Sequence, residues 1–143
     1  MGWDGTSTGR RAAGIALELA SDPLPEQVVV HGDPHSLNAL QRAADGRHVL
    51  IDPDGFCCER EYDAGVVLRD LAGPIEHLER TEGPGAGRRW HAELTRTVAQ
   101  RLDLDAGRVA TWALLERVTA GVHLGRLGYA EESTAWLGLA ARM

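Results

Sequence analysis

The sequence predicts an α+β domain that is mainly helical and has a small β-hairpin at its centre. Two observations carry this prediction. From residue 63 onward, apolar side chains recur at helical spacing. Before that point, the β-branched run Val28–Val30 and an Asp45-Gly46 turn signal indicate short strands. With 143 residues, of which 43% are hydrophobic and 25% charged, we expect one domain over residues 1–143.

The first half of the chain predicts a helix followed by three short strands. Residues 10–20 show helical spacing of alanine, isoleucine and leucine. Residues 28–30 are read as a buried strand that opens into a loop at His31-Gly32. Residues 38–41 and 48–51 flank the Asp45-Gly46 signal and are expected to pair as a hairpin.

The second half predicts four helices. The first starts with Asp63 as its N-cap and ends near Gly73-Pro74. A Gly/Pro-rich linker over 81–87 follows. It joins two predicted helices and therefore lacks the strand that would precede a phosphate-binding glycine loop. The remaining helices are predicted over residues 90–102, 106–127 and 131–141.

Charge and composition narrow the class of ligand. The net charge of -6 argues against nucleic acid, which is bound through clustered positive charge, and permits a cationic small molecule. No stretch approaches the roughly 20 apolar residues of a membrane span, and no secretory signal is evident, so we expect a cytoplasmic protein with no membrane partner. Cys57 and Cys58 are adjacent and are expected to have no metal or disulfide role.

Three polar residues form the motif that carries chemistry. Asp33 lies two residues after His31, Asn38 follows five residues later, and Asp52 ends the second hairpin strand. In phosphoryl transfer, one Asp accepts the proton of the attacking hydroxyl, while an Asn and a second Asp hold magnesium. Magnesium prefers hard oxygen ligands, which Asn38 and Asp52 offer. The spacing from Asp33 to Asn38 equals that of the protein-kinase catalytic loop.

The segments VHGDPHSLNAL, IDPDGF and YDAGVVLRD resemble the aminoglycoside phosphotransferases. They look most like the streptomycin 6-phosphotransferase and hydroxyurea phosphotransferase branch, over residues 28–71. The resemblance implies a protein-kinase-like C-terminal lobe with a catalytic loop at 31–38, a metal loop at 52–55 and a helical part at 63–143. It also implies transfer of the ATP γ-phosphate, with Mg²⁺, to an alcohol group of a small polar acceptor such as an aminoglycoside, which would inactivate the antibiotic.

The same resemblance assigns roles to individual residues. It implies Asp33 as the catalytic base and Asn38 and Asp52 as the magnesium ligands. His31 would shape the catalytic loop, and Asp63 would brace that loop from the next helix. Asp54 and His35 are candidates for supporting these groups, with a simple turn before Gly55 as the alternative role of Asp54.

The similarity to kinases does not extend to the part of the chain before the first strand. All 15 basic residues are arginines, and 27 residues precede Val28, too few for the multi-stranded lobe that holds a phosphate-contacting lysine in kinases. We therefore expect the N-terminal nucleotide lobe to be absent, the chain to be truncated or split, and its activity to be weak. A homodimer, or a partner chain that supplies the lobe, would follow from this expectation.

Two other functions stay open at this point. One is a non-catalytic binding module, a kinase-like remnant that captures a cationic ligand or docks on a partner. The other is a metallohydrolase, because His31-x-Asp33-x-His35 offers transition-metal ligands. The residues that bind the acceptor are unknown. Three helical glutamates face either an amine-bearing acceptor or only solvent: Glu116, Glu131 and Glu132.

Overall fold

The computed structural model describes residues 7–21 and 26–143, which form a set of packed helices and two small two-stranded antiparallel sheets. The prediction of a mainly helical α+β fold is confirmed. The elements are α1 (Ser7–Ser21), β1 (Val28–Val30), β2 (Ala39–Gln41), β3 (His48–Leu50), β4 (Phe56–Cys58), α2 (Glu61–Arg69), α3 (Ala72–Thr81), α4 (Ala86–Leu102), α5 (Ala106–Arg126) and α6 (Ala130–Ala140). Within residues 7–21 and 26–143, no helix has both the length and the apolar character of a membrane span.

The expected hairpin is formed by β2 and β3. The two strands pair antiparallel, with Ala39 opposite Leu50 and Gln41 opposite His48. Gly46 in the turn has a φ of 71°, a left-handed conformation that glycine adopts without steric cost. The Asp-Gly signal in the sequence therefore gives the turn that it predicts.

A second sheet, formed by β1 and β4, was not predicted. Its register places Val28 opposite Cys58 and Val30 opposite Phe56. The prediction of a buried strand at 28–30 is wrong for most of its length: Val30 is 4% exposed, but Val29 is 78% exposed. In a sheet of two strands, one face packs on the domain and the other has no layer over it, so alternate side chains stay exposed.

Helix α5 is the centre of the helical part, and α1, α2, α4 and α6 all pack against it. Val109 and Ala113 of α5 are fully buried against Leu68 of α2 and Ala99 of α4. Gly65 allows α2 to lie close to α5, because a Cβ at this position would overlap the side chain of Trp112. This close contact fixes the position of α2, which is the helix that follows the candidate catalytic loops.

The boundaries of α2 differ from the prediction in a way that matters for the site. The helix begins at Glu61, so Asp63 is its third residue and not its N-cap. It ends at Arg69, and Gly73-Pro74 lies in the first turn of α3 instead of ending the preceding helix. Proline is tolerated there because the amide that it lacks would have no partner within the first turn.

Candidate active site

The candidate site lies where two loops meet. One loop, residues 31–38, joins β1 to β2, and the other, residues 51–55, joins β3 to β4. The amide of Ile51 donates to the carbonyl oxygen of Asn38 at 2.9 Å, and the amide of Gly55 donates to that of His31 at 3.2 Å. The two loops are thus tied together at both ends.

His31 adds a third tie through its side chain. Its Nδ1 accepts the amide proton of Asp33 at 3.3 Å. The neutral ring therefore carries its proton on Nε2, which donates to the carbonyl oxygen of Ile51 at 3.0 Å. Both ring nitrogens are engaged with the protein. This geometry supports the loop-shaping role proposed for His31 and leaves no ring nitrogen for a transition metal.

Asp63 holds the start of the 31–38 loop from helix α2. Its Oδ2 accepts the amide proton of His31 at 2.8 Å, and its Oδ1 accepts that of Gly32 at 3.0 Å. Gly32 has a φ of 91°, and a Cβ there would lie 2.7 Å from Phe56 Cε1 and 2.8 Å from Asp54 Cβ. The loop can therefore pass between Asp63 and residues 54–56 only with glycine at position 32.

The carboxylate of Asp33 is held at both of its oxygens. Oδ1 lies 2.6 Å from Nη2 of Arg69, and Oδ2 lies 3.2 Å from Nε2 of His35. His35 Nδ1 accepts the amide proton of Leu37 at 3.2 Å, so its Nε2 carries the proton and points at Asp33. The Asp33 side chain remains 32% exposed. A carboxylate that is oriented but accessible is suited to receive a proton from a bound hydroxyl.

Arg69 also contacts two further carboxylates. Its Nε lies 3.2 Å from Asp70, and its Nη1 lies 3.3 Å from Glu116. Burial is the main cause that raises the pKa of Glu116, and it also raises the pKa of Tyr62, whose side chain is hydrogen-bonded to Glu116. The sequence analysis assigned no role to Arg69, and for Glu116 it left open an acceptor contact or simple exposure to solvent. The signal was present: Arg69 is a charged residue directly after the apolar run Val66 to Leu68.

Asn38 and Asp52 are neighbours at the open end of the β2–β3 hairpin. The hydrogen bond from the Ile51 amide to the Asn38 carbonyl oxygen continues the register of the two strands, so Ile51 lies opposite Asn38. Asp52 is the next residue after Ile51. The Asn38 Nδ2 donates to the Asp33 carbonyl oxygen at 2.9 Å, so the amide oxygen is the atom that Asn38 could offer to a metal. Asp52 is exposed, with a φ of 58°. This pair of hard oxygen donors fits Mg²⁺, which takes its other ligands from phosphates and water.

The remaining candidates are less closely tied to the centre. Asp54 is exposed, and its Cβ lies close to Gly32. Glu131 and Glu132 lie exposed in the first turn of α6, where negative charge favours a helix N-terminus. Cys57 and Cys58 are free thiols.

Among residues 7–21 and 26–143, no group of three or more His, Cys, Asp and Glu side chains is arranged to hold a metal, so the geometry gives the metallohydrolase hypothesis no support.

The order of these groups along the chain, a base-bearing loop, an Asn and a strand-borne Asp, is that of the kinase class of phosphotransferases. The model of one family, described as aminoglycoside/hydroxyurea antibiotic resistance kinase, matches residues 4–128. The chain belongs to this family, which confirms the resemblance found in the sequence. No curated protein and no solved structure matches the chain.

Proposed function

We propose that this chain carries the catalytic centre of a small-molecule kinase that transfers the γ-phosphate of ATP to an alcohol group of a small polar acceptor. The acceptor class that we favour is an aminoglycoside of the streptomycin type, inactivated in the cytoplasm. The observation that carries the proposal is the Asp33 carboxylate, held at both oxygens yet 32% exposed, on the loop that also bears Asn38. Membership in a family of antibiotic resistance kinases supports it.

The proposed reaction assigns a step to each residue. Asp33 accepts the proton of the acceptor hydroxyl as its oxygen forms a bond to the γ-phosphorus. The bond from that phosphorus to the β,γ-bridging oxygen breaks, and ADP leaves with the electron pair. Asn38 and Asp52 would hold Mg²⁺, which when bound offsets the negative charge of the phosphates. His31 and Asp63 keep the loop in place through the hydrogen bonds described above.

The charge around Asp33 supports a cationic acceptor. Asp33, Asp70 and Glu116 surround the single guanidinium of Arg69. The carboxylates that contact Arg69 therefore outnumber its guanidinium by three to one. The whole chain is also acidic, at -6. An acceptor with amino or guanidino groups is attracted to such a surface.

The proposal includes weak transfer by this chain alone. In the kinase template a lysine contacts the phosphates, and the chain contains none, because its basic residues are all arginines. Arginine does not reproduce the compact ammonium of lysine at such a site. A second copy or a separate chain that supplies a phosphate-contacting lobe would then raise the rate.

The first experiment is a calorimetric titration of the chain with ATP, with and without Mg²⁺. We expect binding that requires Mg²⁺ and is lost in Asp52→Ala. Asp103→Ala is the matched control, since Asp103 is an exposed carboxylate that also has a positive φ, of 54°, so that alanine is equally strained at both positions. Mass spectrometry of streptomycin and hydroxyurea after incubation with MgATP then tests transfer. Tight Mg²⁺-independent binding, or equal binding by Asp52→Ala, would contradict the proposed site.

One observation favours the non-catalytic binding module as a second candidate. Large apolar side chains beside the catalytic loops are 50% exposed or more, namely Val29, Leu37, Leu40 and Leu50. Exposed apolar surface of this kind is typical of a binding face. MgATP binding without transfer to any acceptor, together with concentration-dependent association in light scattering, would favour this candidate.

A further inference from the structure

We propose that Arg69 is a positioning residue that sets the orientation of the Asp33 carboxylate from helix α2. The inference rests on the proposed function, since it assigns Asp33 as the base. The contact that carries it is the 2.6 Å bond from Arg69 Nη2 to Asp33 Oδ1. The two residues belong to different elements: Asp33 lies in the loop after β1, and Arg69 is the last residue of α2.

The guanidinium of Arg69 is held on all sides and has little freedom to leave Asp33. Its Nε is bonded to Asp70 and its Nη1 to Glu116, so each of its three nitrogens has a carboxylate partner. The side chain is 15% exposed. A planar fork with this many fixed partners is preorganised, and it therefore fixes the direction of the carboxylate that it contacts.

The backbone of Arg69 is anchored as firmly as its side chain. Arg117, which is 1% exposed, donates Nε to the Arg69 carbonyl oxygen at 2.9 Å and Nη2 to that of Leu68 at 3.1 Å. His91 Nε2 lies 3.1 Å from the same Leu68 oxygen. Burial lowers the pKa of Arg117 to about 10, which leaves it protonated at neutral pH. Side chains from α4 and α5 thus cap the end of α2 that carries Arg69.

The consequence is that the orientation of the base is determined by the helical core. On the loop itself only His35 contacts the carboxylate, at 3.2 Å. Without Arg69, one carboxylate oxygen loses its partner, and the side chain can rotate away from an acceptor hydroxyl. A displacement of about 1 Å at a reacting group can lower a rate by roughly 100-fold.

The kinetic test compares Arg69→Gln and Arg69→Lys with the native chain in transfer of phosphate from MgATP to streptomycin. We expect kcat to fall about 100-fold in Arg69→Gln with little change in the KM of either substrate, and an intermediate kcat in Arg69→Lys. Arg96→Gln, which removes the charge of an exposed arginine on α4, is the control and should keep the native kcat. A rise in KM with kcat unchanged, or no change at all, would overturn the proposal.

A second readout needs no transfer and separates this inference from the proposed function. In ¹H–¹⁵N spectra of arginine side chains, a held guanidinium gives separate Nη signals because rotation about the Nε–Cζ bond is slow. We expect separate signals for Arg69 in the native chain, and a change in the chemical shift of one Nη signal in Asp33→Asn but not in the control Asp103→Asn, because Asp70 and Glu116 still hold Nε and Nη1 in both variants. If no acceptor is phosphorylated by the native chain, the proposed function fails, and these spectra alone decide the position of Arg69. Merged Arg69 signals in the native chain, or signals unchanged in Asp33→Asn, would overturn the inference.

Discussion

Asp63 Oδ2 accepts the amide proton of His31 at 2.8 Å, which links the third residue of α2 to the first residue of the candidate catalytic loop. The same carboxylate accepts the amide of Gly32 through its other oxygen. Two consecutive amides therefore converge on one negatively charged group. Hydrogen bonds to a charged acceptor are stronger than those between neutral groups, so this pair is a main support of the loop.

Asp63→Asn should weaken this support without changing the size of the side chain. An amide has one acceptor oxygen, so one of the two loop amides loses its partner, and the free energy of unfolding should fall by about 1–3 kcal/mol. Urea denaturation followed by circular dichroism measures this change. Glu93→Gln, an exposed position on α4, is the matched control and should lie within about 0.5 kcal/mol of the native chain. Equal stability of the two variants would show that the Asp63 contacts are not important.

Gly32→Ala should destabilise the protein for two reasons, an unfavourable backbone conformation and a steric clash of the new Cβ. The φ of 91° is unfavourable for alanine, and the new Cβ would lie 2.7 Å from Phe56 Cε1. We expect a loss of at least about 1–3 kcal/mol in the free energy of unfolding. In Gly138→Ala, where no atom lies within 4 Å of the new Cβ, helix α6 should instead gain up to about 1 kcal/mol. Thermal melting of both variants compares them, and a native melting temperature in Gly32→Ala would contradict the loop geometry.

Asp33→Asn should remove most transfer while preserving the fold. The variant keeps the shape of the side chain but cannot accept a proton, and general base catalysis contributes about 10²–10⁴-fold. We expect kcat to fall by this factor in the streptomycin assay, and MgATP binding measured by calorimetry to stay close to native. Transfer at the native rate would exclude Asp33 as the base.

Stability should depend on pH through His91. Burial is the main cause that lowers the pKa of His91 from 6.5, so the folded protein holds this ring neutral. Below pH 6.5 the unfolded chain binds a proton that the folded state does not, and the free energy of unfolding falls as the pH drops toward the folded pKa. Above pH 6.5 this contribution is fully present.

His91→Gln tests the assignment, because glutamine keeps an N–H donor for the Leu68 carbonyl oxygen and does not titrate. Urea unfolding of both proteins between about pH 7 and pH 5 should show a smaller loss of stability in the variant. Parallel pH profiles would mean that other groups account for the acid sensitivity.

The parts of the structure that follow from local sequence were predictable. The hairpin follows from Asp45-Gly46 between two short apolar runs, and the loop after β1 follows from Gly32 and Pro34. Strand β4 was missed because Phe56–Cys58 has only three residues and no alternation of polar and apolar side chains. It exists only because β1 lies beside it.

Tertiary contacts account for what the sequence did not indicate at the site. Asp63 looks like an N-cap by pattern, but the chain enters α2 two residues earlier and the carboxylate is used by the loop. Arg69 and Asp33 are 36 residues apart, and their contact depends on how α2 packs against α5. No periodicity in the sequence reports such a contact.

The capping of α2 by Arg117 and His91 implies that the loop and the helical core open together. The amides of His31 and Gly32 are bonded to α2, and the end of α2 is bonded to α4 and α5. These amides should therefore exchange with solvent deuterium as slowly as amides in the middle of α5, although they belong to a loop. The candidate catalytic residues would then be among the last in the chain to lose their order when it is heated.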